Sequence, residues 1–599
     1  IESSMLIKFP RLLLPFFVIA FLANDVFAQS PGDIRSRTDL DPTLAPFYHG
    51  VASGDPLADK VIIWTRVTPG PDEMPITVNW KMGTDTGLIS VVNSGTFTTD
   101  RDRDFTVKID VDGLSPDTWY YYNFEVDNRK SLTGRTRTAP EGDADSARFA
   151  VVSCSDYVDG YFHGYRKITE RNDIDAVIHL GDYIYENGSE GTIGRPHDPP
   201  ERANELADYR QRYSQYRLDH DLRCIHQMYP FINVWDDHEL ANNAWSGGAE
   251  AHDPNDDGVF AERMKQAIQA FHEWIPIRHP DPSDTARIYR KLEWGDLLDI
   301  LLIDTRFIGR DEQTSGASID DTSRYMLGVE QLSWLSDQVE DTTSQWKIIG
   351  QQVMMAPLEV PVIGPVATDS WDGYRAERQR FYDTILAKNI PNTVVLTGDI
   401  HTAWASNLES DGTPVGVEFV CSSITTMNSP LPVDQVVIQL ANPHIQYVDL
   451  VGHGYYVLDV NKERTQADYY FVGDIEDPDD NSQSEGEHWM TIDSTQVLAQ
   501  ANEAVPPRSS LPVLQPSKSG PNVPIIDGME ENTASVIGIY PNPFWENFVV
   551  KLYLFQPEEV TFTLFDKKGN QVATSYLGQL SSGLSYLPVR VGSLPKGTY

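Results

Sequence analysis

The sequence is poor in cysteine. Three cysteines occur among 599 residues, at Cys154, Cys224 and Cys421. Three cysteines do not make a disulfide framework in a chain of this length, and their odd number leaves at least one thiol free or bound to another group. The fold must therefore depend on buried apolar side chains, and a composition of 40% hydrophobic and 11% aromatic residues is enough for large cores.

Positive charge is also scarce. The chain has 47 Lys and Arg residues against 88 Asp and Glu residues, so its formal net charge is −41. A field of this sign repels nucleic acids and anionic membrane surfaces, and we expect no nucleic-acid partner. A small phosphorylated substrate would need local cations, which a metal centre could supply. The acidity could equally serve only to keep an exported protein soluble.

Long apolar runs are missing beyond the N-terminus. No later segment approaches the ~20 apolar residues of a transmembrane helix, so we expect no membrane anchor. Residues 5–28 have the pattern of a signal peptide. Lys8 and Arg11 supply its positive charge, 12–22 is an apolar run, and Ala28 completes a small-residue cleavage site. This pattern predicts export.

Two familiar motifs are incomplete. The glycine-containing segment 50–56 lacks the Lys-Ser/Thr ending of a phosphate-binding P-loop, which favours a structural turn. The segment 253–258 begins like an EF-hand loop, but Met264 stands where the twelfth-position glutamate belongs. We interpret it as a surface turn, with an additional calcium site left open.

The chain divides into regions that differ in composition and in hydrophobic pattern. Residues 45–140 carry short strands separated by turns, which predicts an immunoglobulin- or fibronectin-like β-sandwich. Residues 146–475 alternate strands with helices, which predicts an α/β domain with parallel strands. Residues 476–533 are acidic and then proline-rich, which indicates a linker. Residues 534–599 again show short strands and predict a small β-sandwich.

Metal-type ligands follow four predicted strands of the α/β region. Because the carboxyl ends of parallel strands gather at one edge of a sheet, these side chains should meet there. Carboxylates suit hard ions such as calcium, whereas a thiolate and a phenolate suit a stronger Lewis acid such as ferric iron. The set consists of Cys154, Asp182 with Tyr185, Asp237 with His238, and Asp399 with His401.

Each of these signals has a structural explanation when taken alone. Cys154 could be a small buried apolar residue, His401 a core histidine, and the segment 237–239 a helix cap. Four such signals on four strand ends together favour a mixed-metal centre, with Asp182 placed to bridge two ions. Such a centre binds phosphoryl oxygens and generates hydroxide at ordinary pH, and His238 could protonate the leaving oxygen.

At these motifs the sequence resembles the PhoD-type alkaline phosphatases of the calcineurin-like metallophosphatase superfamily. The resemblance spans about residues 45–475 and implies a four-layer α/β/β/α domain of two packed mixed sheets flanked by helices. The matching segments are Ser153-Cys154, 179–186, 235–239, 304–306 and 398–401.

The resemblance also implies the metals and their ligands. One ferric ion would be held by Cys154, Tyr185 and His401, and one or two calcium ions by Asp237 and Asp399. Asp182 would bridge the ions and His238 would be the general acid. Two points stay open: Asp236 rather than Asp237 could be the ligand, and Arg306 could be a phosphate clamp or an ordinary surface ion pair.

The C-terminal module resembles the sorting domain of the type IX secretion system. The resemblance lies in Tyr540-Pro-Asn-Pro, the turn at 566–570 and the segment 594–599. It implies passage across the outer membrane of a Gram-negative bacterium, and hence a secreted or cell-surface protein whose partner is that machinery.

The sequence thus predicts a secreted, monomeric metallophosphatase acting on small phosphate monoesters and perhaps diesters. Three alternatives are kept. The same scaffold could be a phosphodiesterase or a phospholipase D-like hydrolase. A cysteine hydrolase could use Cys154 and His238. The chain could also be a non-catalytic surface binding protein.

Overall fold

A computed structural model describes most of the chain. It covers residues 40–70, 74–191, 193–281, 283–360, 364–365, 368–428 and 434–508, and the strands of the C-terminal module. The predicted signal peptide at 5–28 and the proline-rich stretch at 509–533 lie outside the described residues. So do the Pro-Asn-Pro part of the sorting motif, its turn at 566–570 and its segment 594–599.

The N-terminal region is all β, as predicted. Its outer sheet has the order β4-β3-β6-β7, with β8 also paired to β6. The Tyr120 hydroxyl accepts a hydrogen bond from the Ser115 N–H at 2.8 Å and so ties the preceding loop back, as the fibronectin-like pattern predicts. The strands are β1 (Val51–Gly54), β2 (Val61–Arg66), β3 (Ile76–Gly83), β4 (Val91–Thr99), β5 (Thr106–Val111), β6 (Trp119–Val126), β7 (Arg129–Lys130) and β8 (Gly134–Arg137).

This region is continuous with the α/β region. Strands β1, β2 and β5 form the end of a ten-stranded sheet that continues into the α/β region. Their inner face, including Val61, Ile63 and Val107, packs against the outer sheet through residues such as Val78 and Phe124. Two β-sheets thus pack face to face here, and the immunoglobulin- or fibronectin-like character expected for 45–140 stays a prediction.

The α/β region alternates strands and helices over most of its length. Its strands are β9 (Ser146–Val152), β10 (Ala176–His179), β11 (Pro230–Asn233), β12 (Arg290–Trp294), β13 (Leu298–Leu302), β14 (Trp346–Gly350), β15 (Glu359–Val360), β16 (Gly364–Pro365), β17 (Thr393–Thr397), β18 (Ala403–Ser410), β19 (Thr413–Val420), β20 (Ile445–Asp449), β21 (Gly454–Asn461), β22 (Arg464–Val472), β23 (Gln483–Ile492) and β24 (Leu498–Gln500). Its helices are α1 (His163–Glu170), α2 (Leu206–Leu218), α3 (His220–Met228), α4 (Phe260–Trp274), α5 (Gly328–Val339), α6 (Arg375–Lys388) and α7 (Gln435–Ala441).

Two mixed sheets form the centre of this region. The first has the order β24-β23-β22-β21-β9-β10-β11-β1-β2-β5, and the second has the order β12-β13-β14-β17-β19-β18-β20. In the first sheet β9, β10, β11 and β1 are parallel neighbours. In the second sheet β13, β14, β17 and β19 are parallel neighbours. The parallel strands therefore lie in the middle of each sheet.

The two sheets pack face to face between helices. Alternate residues of β9 show the layering, because Phe149 and Val151 pack toward the second sheet. Their neighbours Ala150 and Val152 pack toward α1 to α4. On the far side, the second sheet packs on α5, α6 and α7. The order is helix, sheet, sheet, helix, in agreement with the predicted layers.

Two predicted boundaries are wrong. The polar pattern of residues 200–224 predicts one long helix, but the structure has two, divided at Asp219, whose carboxylate accepts the N–H groups of Asp221 and Leu222 and so begins α3 as an N-cap. The linker expected from residue 476 does not begin there, because β23 and β24 extend the first sheet as far as Gln500. Trp489 of β23 packs into the core between the sheets.

The C-terminal module is described by its strands alone. They are β25 (Ala534–Tyr540), β26 (Asn547–Leu554), β27 (Glu558–Phe565), β28 (Gln571–Leu580) and β29 (Gly583–Arg590). They form a three-stranded antiparallel sheet, β25-β26-β29, and a β27-β28 pair. Within the described part of the chain, no helix has the length and apolar character needed to cross a bilayer.

Candidate metal centre

The predicted ligands follow the carboxyl ends of parallel strands in both sheets. Cys154 follows β9, Asp182 follows β10, Asp237 follows β11, and Asp399 and His401 follow β17. The strands that precede them are largely apolar and, apart from Ser146, buried, so the polar ligands that follow each strand lie at the shared edge. Packing of the two sheets brings these edges together.

The structure gathers these side chains into three overlapping groups. Donor atoms within each group lie within 4.8 Å of one another. Asp182 belongs to two groups, and Asp237 also belongs to two. The groups are Cys154 with Asp182 and His401, Asp182 with Asp237 and His238, and Asp236 with Asp237 and Asp399. The arrangement is a continuous row of ligands in which Asp182 lies between the thiol and the remaining carboxylates.

Tyr185 lies beside this row. Its hydroxyl donates to Asp182 Oδ2 at 2.9 Å and accepts from the Thr426 hydroxyl at 2.7 Å. Its ring lies 4.2 Å from the His238 ring, centroid to centroid. All of the predicted metal-ligand residues are therefore close neighbours.

Four of these residues have left-handed backbone conformations. Their φ angles are 57° at Cys154, 54° at Asp182, 64° at Asp399 and 63° at His401. Non-glycine residues in such conformations cost on the order of 1–3 kcal/mol each and cluster at functional sites. The conformation turns the chain sharply after each strand, which directs the side chains to the edge instead of along the strand.

The centre has more buried carboxylate than positive charge. Burial, together with the neighbouring carboxylates, raises the pKa of Asp182 well above its usual range. Burial also raises the pKa of Asp236 well above its usual range and that of Asp399 to about 7, in both cases against the attraction of Arg306. A cation bound among these carboxylates would supply the missing counter-charge and favour their ionised forms.

The donor set fits bound metal ions. Asp236 Oδ2 and Asp237 Oδ1 are buried and accept no hydrogen bond from the described residues. Burial, with Asp182 as a neighbour, raises the pKa of both the Cys154 thiol and the Tyr185 hydroxyl well above their usual values. Both groups are thus neutral until a metal ion displaces their protons, which is how thiolate and phenolate ligands form.

Arg306 lies inside the centre and is fully buried, so the alternative of a surface ion pair is wrong. Its guanidinium donates to Asp236 and Asp399, and Nη2 lies 3.8 Å from Asp237 Oδ1. Nη1 lies 3.8 Å from Asp369 Oδ2. The guanidinium is therefore among the ligand carboxylates.

His238 is oriented by a buried glutamate. Its Nδ1 lies 2.6 Å from Glu186 Oε2. Burial favours the neutral ring, but Glu186, Asp182 and Asp237 outweigh it and raise the pKa of His238 well above its usual value. With Nδ1 occupied, Nε2 is the atom that can deliver a proton to a substrate.

Glu239 is a structural member of the site whose role was not predicted. Its Oε2 accepts the N–H groups of Asp182 at 3.0 Å and Asp236 at 2.8 Å. Its Oε1 accepts the Tyr183 N–H at 2.7 Å. The sequence showed Glu239 and Glu186 as the last residues of two motifs, but not which backbone groups they bind; Thr426 gave no signal at all.

Two family models match the chain. One is described as PhoD-like phosphatase and matches residues 149–469. The other is described as PhoD-like phosphatase, N-terminal domain, and matches residues 34–140. The chain belongs to the PhoD-like phosphatase family. The resemblance found in the sequence motifs is thereby confirmed.

Relatives support the same assignment. Alkaline phosphatase D of Bacillus subtilis (strain 168) is 34% identical over 485 residues, which cover 75% of this chain and 82% of that protein. A solved structure of PhoD matches with a TM-score of 0.71 and 32% identity, over 77% of this chain and 93% of that chain. The chain is therefore a phosphatase, as predicted, built on the PhoD fold.

The competing hypotheses fit the site less well. A cysteine hydrolase needs a thiol that ionises readily, whereas the pKa of Cys154 is raised well above its usual value, chiefly by burial. Cys154 and His238 also belong to different groups of the row. A non-catalytic scaffold would tolerate lost ligands, but each predicted strand end still carries one.

Proposed function

We propose that this phosphatase hydrolyses phosphate monoesters at a mixed iron–calcium centre. The observation that supports it is the continuous row of ligands in which Asp182 and Asp237 are each shared. Cys154, Tyr185 and His401 would hold one ferric ion, Asp182 would bridge, and Asp237 and Asp399 would hold one or two calcium ions. Bound there, the ions would polarise the phosphoryl group and acidify water.

The remaining residues have roles set by their positions. His238 carries a proton at Nε2 for the leaving oxygen while Glu186 fixes its ring. Arg306 offers a planar guanidinium to the phosphoryl oxygens once metal ions neutralise the carboxylates that it now binds. Asp237 is preferred to Asp236 as the ligand, because Asp236 is engaged by Arg306 and Asp237 also lies in the group containing Asp182.

A phosphodiesterase is the second candidate, since the same ligand row would also bind a diester. A panel of phosphate mono- and diesters, assayed with purified protein in the presence and absence of a calcium chelator, separates the two. We expect monoester turnover that falls on chelation and returns with calcium. Higher kcat/KM on diesters would favour the second candidate.

Asp182→Ala tests the centre directly. Loss of a shared ligand should lower kcat/KM by more than about 100-fold and reduce bound iron and calcium measured by elemental analysis. Asp337→Ala, at an exposed position on α5, is the matched control. Full activity in a metal-free preparation, or in Asp182→Ala, would contradict the proposal.

The proposal also includes export. The signal peptide at 5–28 and the sorting-domain resemblance at 534–599 support delivery to the cell surface or medium through the type IX machinery. Expression in a type IX-competent bacterium and in a mutant lacking that machinery tests this. We expect activity outside the first cells and retention in the periplasm of the second; equal release from both would contradict the route.

A further inference from the structure

A second charged cavity lies away from the metal centre, between β5 and α4. Its volume is about 360 Å³. Five basic side chains line it together with one carboxylate from the described residues: Arg103, Lys108, Lys265, His272, His279 and Glu273. Such a concentration of bases is unusual in a chain whose net charge is −41.

The bases in this cavity repel one another. Burial and the repulsion of Arg103 lower the pKa of Lys108 to about 7 against the attraction of Asp55. Burial and Lys108 also lower the pKa of both His272 and His279. Glu273 gives little relief, because both of its oxygens bind Arg210 at 2.6 Å. At the metal centre, burial and like charges oppose the ionisation of acids. Here they oppose the protonation of bases, and a bound anion would favour the protonated forms.

Several polar atoms of the cavity have no hydrogen-bond partner among the described residues. They are Arg103 Nε, His272 Nδ1 and His279 Nδ1, all buried. His272 is only 5% exposed, and its ring stacks on His279 with 3.9 Å between centroids. The Arg103 guanidinium lies over the Phe97 ring at 4.8 Å, which holds it in place.

Lys108 lies behind the cavity and is held in place. Its amine donates to the carbonyl of His272 and to those of Ile275 and Ile277, at 3.3 and 3.1 Å. These carbonyls lie in the last turn of α4 and just beyond it, so Lys108 joins β5 to the end of that helix. Lys265, by contrast, lies exposed on α4 at the mouth of the cavity.

We propose that this cavity binds a small divalent oxyanion of the class of inorganic phosphate or sulfate. Arg103 and Lys265 donate to its oxygens, and Lys108 contributes its charge. A metal ion is disfavoured, because the two histidines that could bind it face three cations. The site is separate from the metal centre, and its occupancy does not depend on catalysis.

Phosphate binding to the purified full chain, followed by titration calorimetry, tests this. We compare the wild type with Arg103→Ala/Lys265→Ala and with Lys130→Ala, an exposed lysine on β7. The wild type and Lys130→Ala should bind one phosphate more per chain than the double variant. Competitive inhibition by phosphate in the phosphatase assay should be the same in all three.

A second variant guards against a folding defect. Lys265→Glu lies on the exposed face of α4 and should weaken phosphate binding at this site at least about tenfold by introducing repulsion. Circular dichroism and phosphatase activity establish that each variant is folded. Equal stoichiometry and affinity in folded wild type, double variant and Lys265→Glu would overturn the proposal.

Discussion

At the scale of single residues, the properties of the metal centre depend on how many buried carboxylates surround one buried guanidinium. The metal centre places Asp236, Asp237 and Asp399 around the Arg306 guanidinium. Burial raises the pKa of Asp182, Asp236 and Asp399, whereas Arg306 and His238 outweigh burial at Asp237 and lower its pKa to about 2. Two aspartates that are adjacent in sequence differ in role because their charged neighbours differ. Asp236 and Asp237 are adjacent, but one faces Arg306 and the other also faces Asp182.

Glu239 gives a prediction about positioning. Because a glutamine has only one acceptor oxygen, Glu239→Gln cannot accept all three N–H groups that the carboxylate now binds. The loops bearing Asp182 and Asp236 should loosen, lowering metal affinity by about 10–100-fold. Excess metal should restore much of the kcat. Metal titration of activity measures the shift, with exposed Glu262→Gln as control; unchanged metal affinity would refute this role.

Glu377 gives a prediction about pH. It is buried in the first turn of α6, and burial raises its pKa from 4.5 to about 7 against the backbone N–H groups of Met326 and Leu327. The folded state therefore binds more protons between these values, so this group's stabilising contribution is lost as pH rises through about 7.

Glu377→Gln mimics the protonated acid, with one oxygen free to accept both N–H groups. We expect the variant to gain stability relative to the wild type between pH 5 and pH 8, as measured by urea unfolding midpoints. Exposed Glu409→Gln should show no such trend. A constant difference between wild type and Glu377→Gln across that range would exclude the ionisation of Glu377 as its cause.

At the scale of secondary-structure elements, the site is made by strand ends and their turns. Gly398 illustrates how tight the meeting of the two sheets is. A Cβ at this position would lie 2.8 Å from Ser153 Cβ and 2.9 Å from Ser153 Oγ. The end of β17 in one sheet thus rests directly on the segment after β9 in the other, beside Cys154.

Gly398→Ala should therefore push Asp399 and His401 away from Cys154. Overpacking of this kind costs about 1–3 kcal/mol, and we expect loss of stability together with loss of bound iron. Thermal unfolding and elemental analysis measure both effects. Gly87→Ala, which meets no atom closer than 3.3 Å, is the control. Normal iron content in Gly398→Ala would show that the contact does not set the ligand geometry.

Much of the arrangement of strands and of the ligands that follow them could be predicted from the sequence. Apolar strands followed by metal-type ligands located Cys154, Asp182, Asp237 and Asp399, since β strands are recognised by their local pattern. The break at Asp219 was missed, because a capping carboxylate within a continuous polar run looks like any helical surface residue. The partners of Glu239 and Arg306 were also missed, since contacts between segments far apart in sequence leave no local trace.

At the scale of the whole molecule, the N-terminal region and the α/β region are one structure. Ser53 and Gly54 of β1 pair in parallel with Pro230 and Phe231 of β11. Trp64 donates its indole N–H to the Glu273 carbonyl at 2.8 Å. Removing the N-terminal strands would therefore uncover both a parallel strand edge and the end of α4.

Two truncations test this unity. A chain that begins at residue 141 should be insoluble, because it exposes the β11 edge. A chain that ends at residue 508 should keep its kcat within about twofold, because the catalytic sheets are complete by Gln500. Solubility on expression and steady-state kinetics measure the outcomes. A soluble, active chain from 141 onward would show that the N-terminal strands are not needed to complete the first sheet.

The neighbouring strands β9 and β21 have a consequence for synthesis. Arg148 on β9 binds Asp459 on β21, 311 residues later in the chain. During translation the edge of β9 stays unpaired until nearly 460 residues have been made, and sheets that depend on such distant contacts form slowly. An unpaired edge invites aggregation, so we expect the partly made chain to aggregate more readily than the finished one unless this edge is covered.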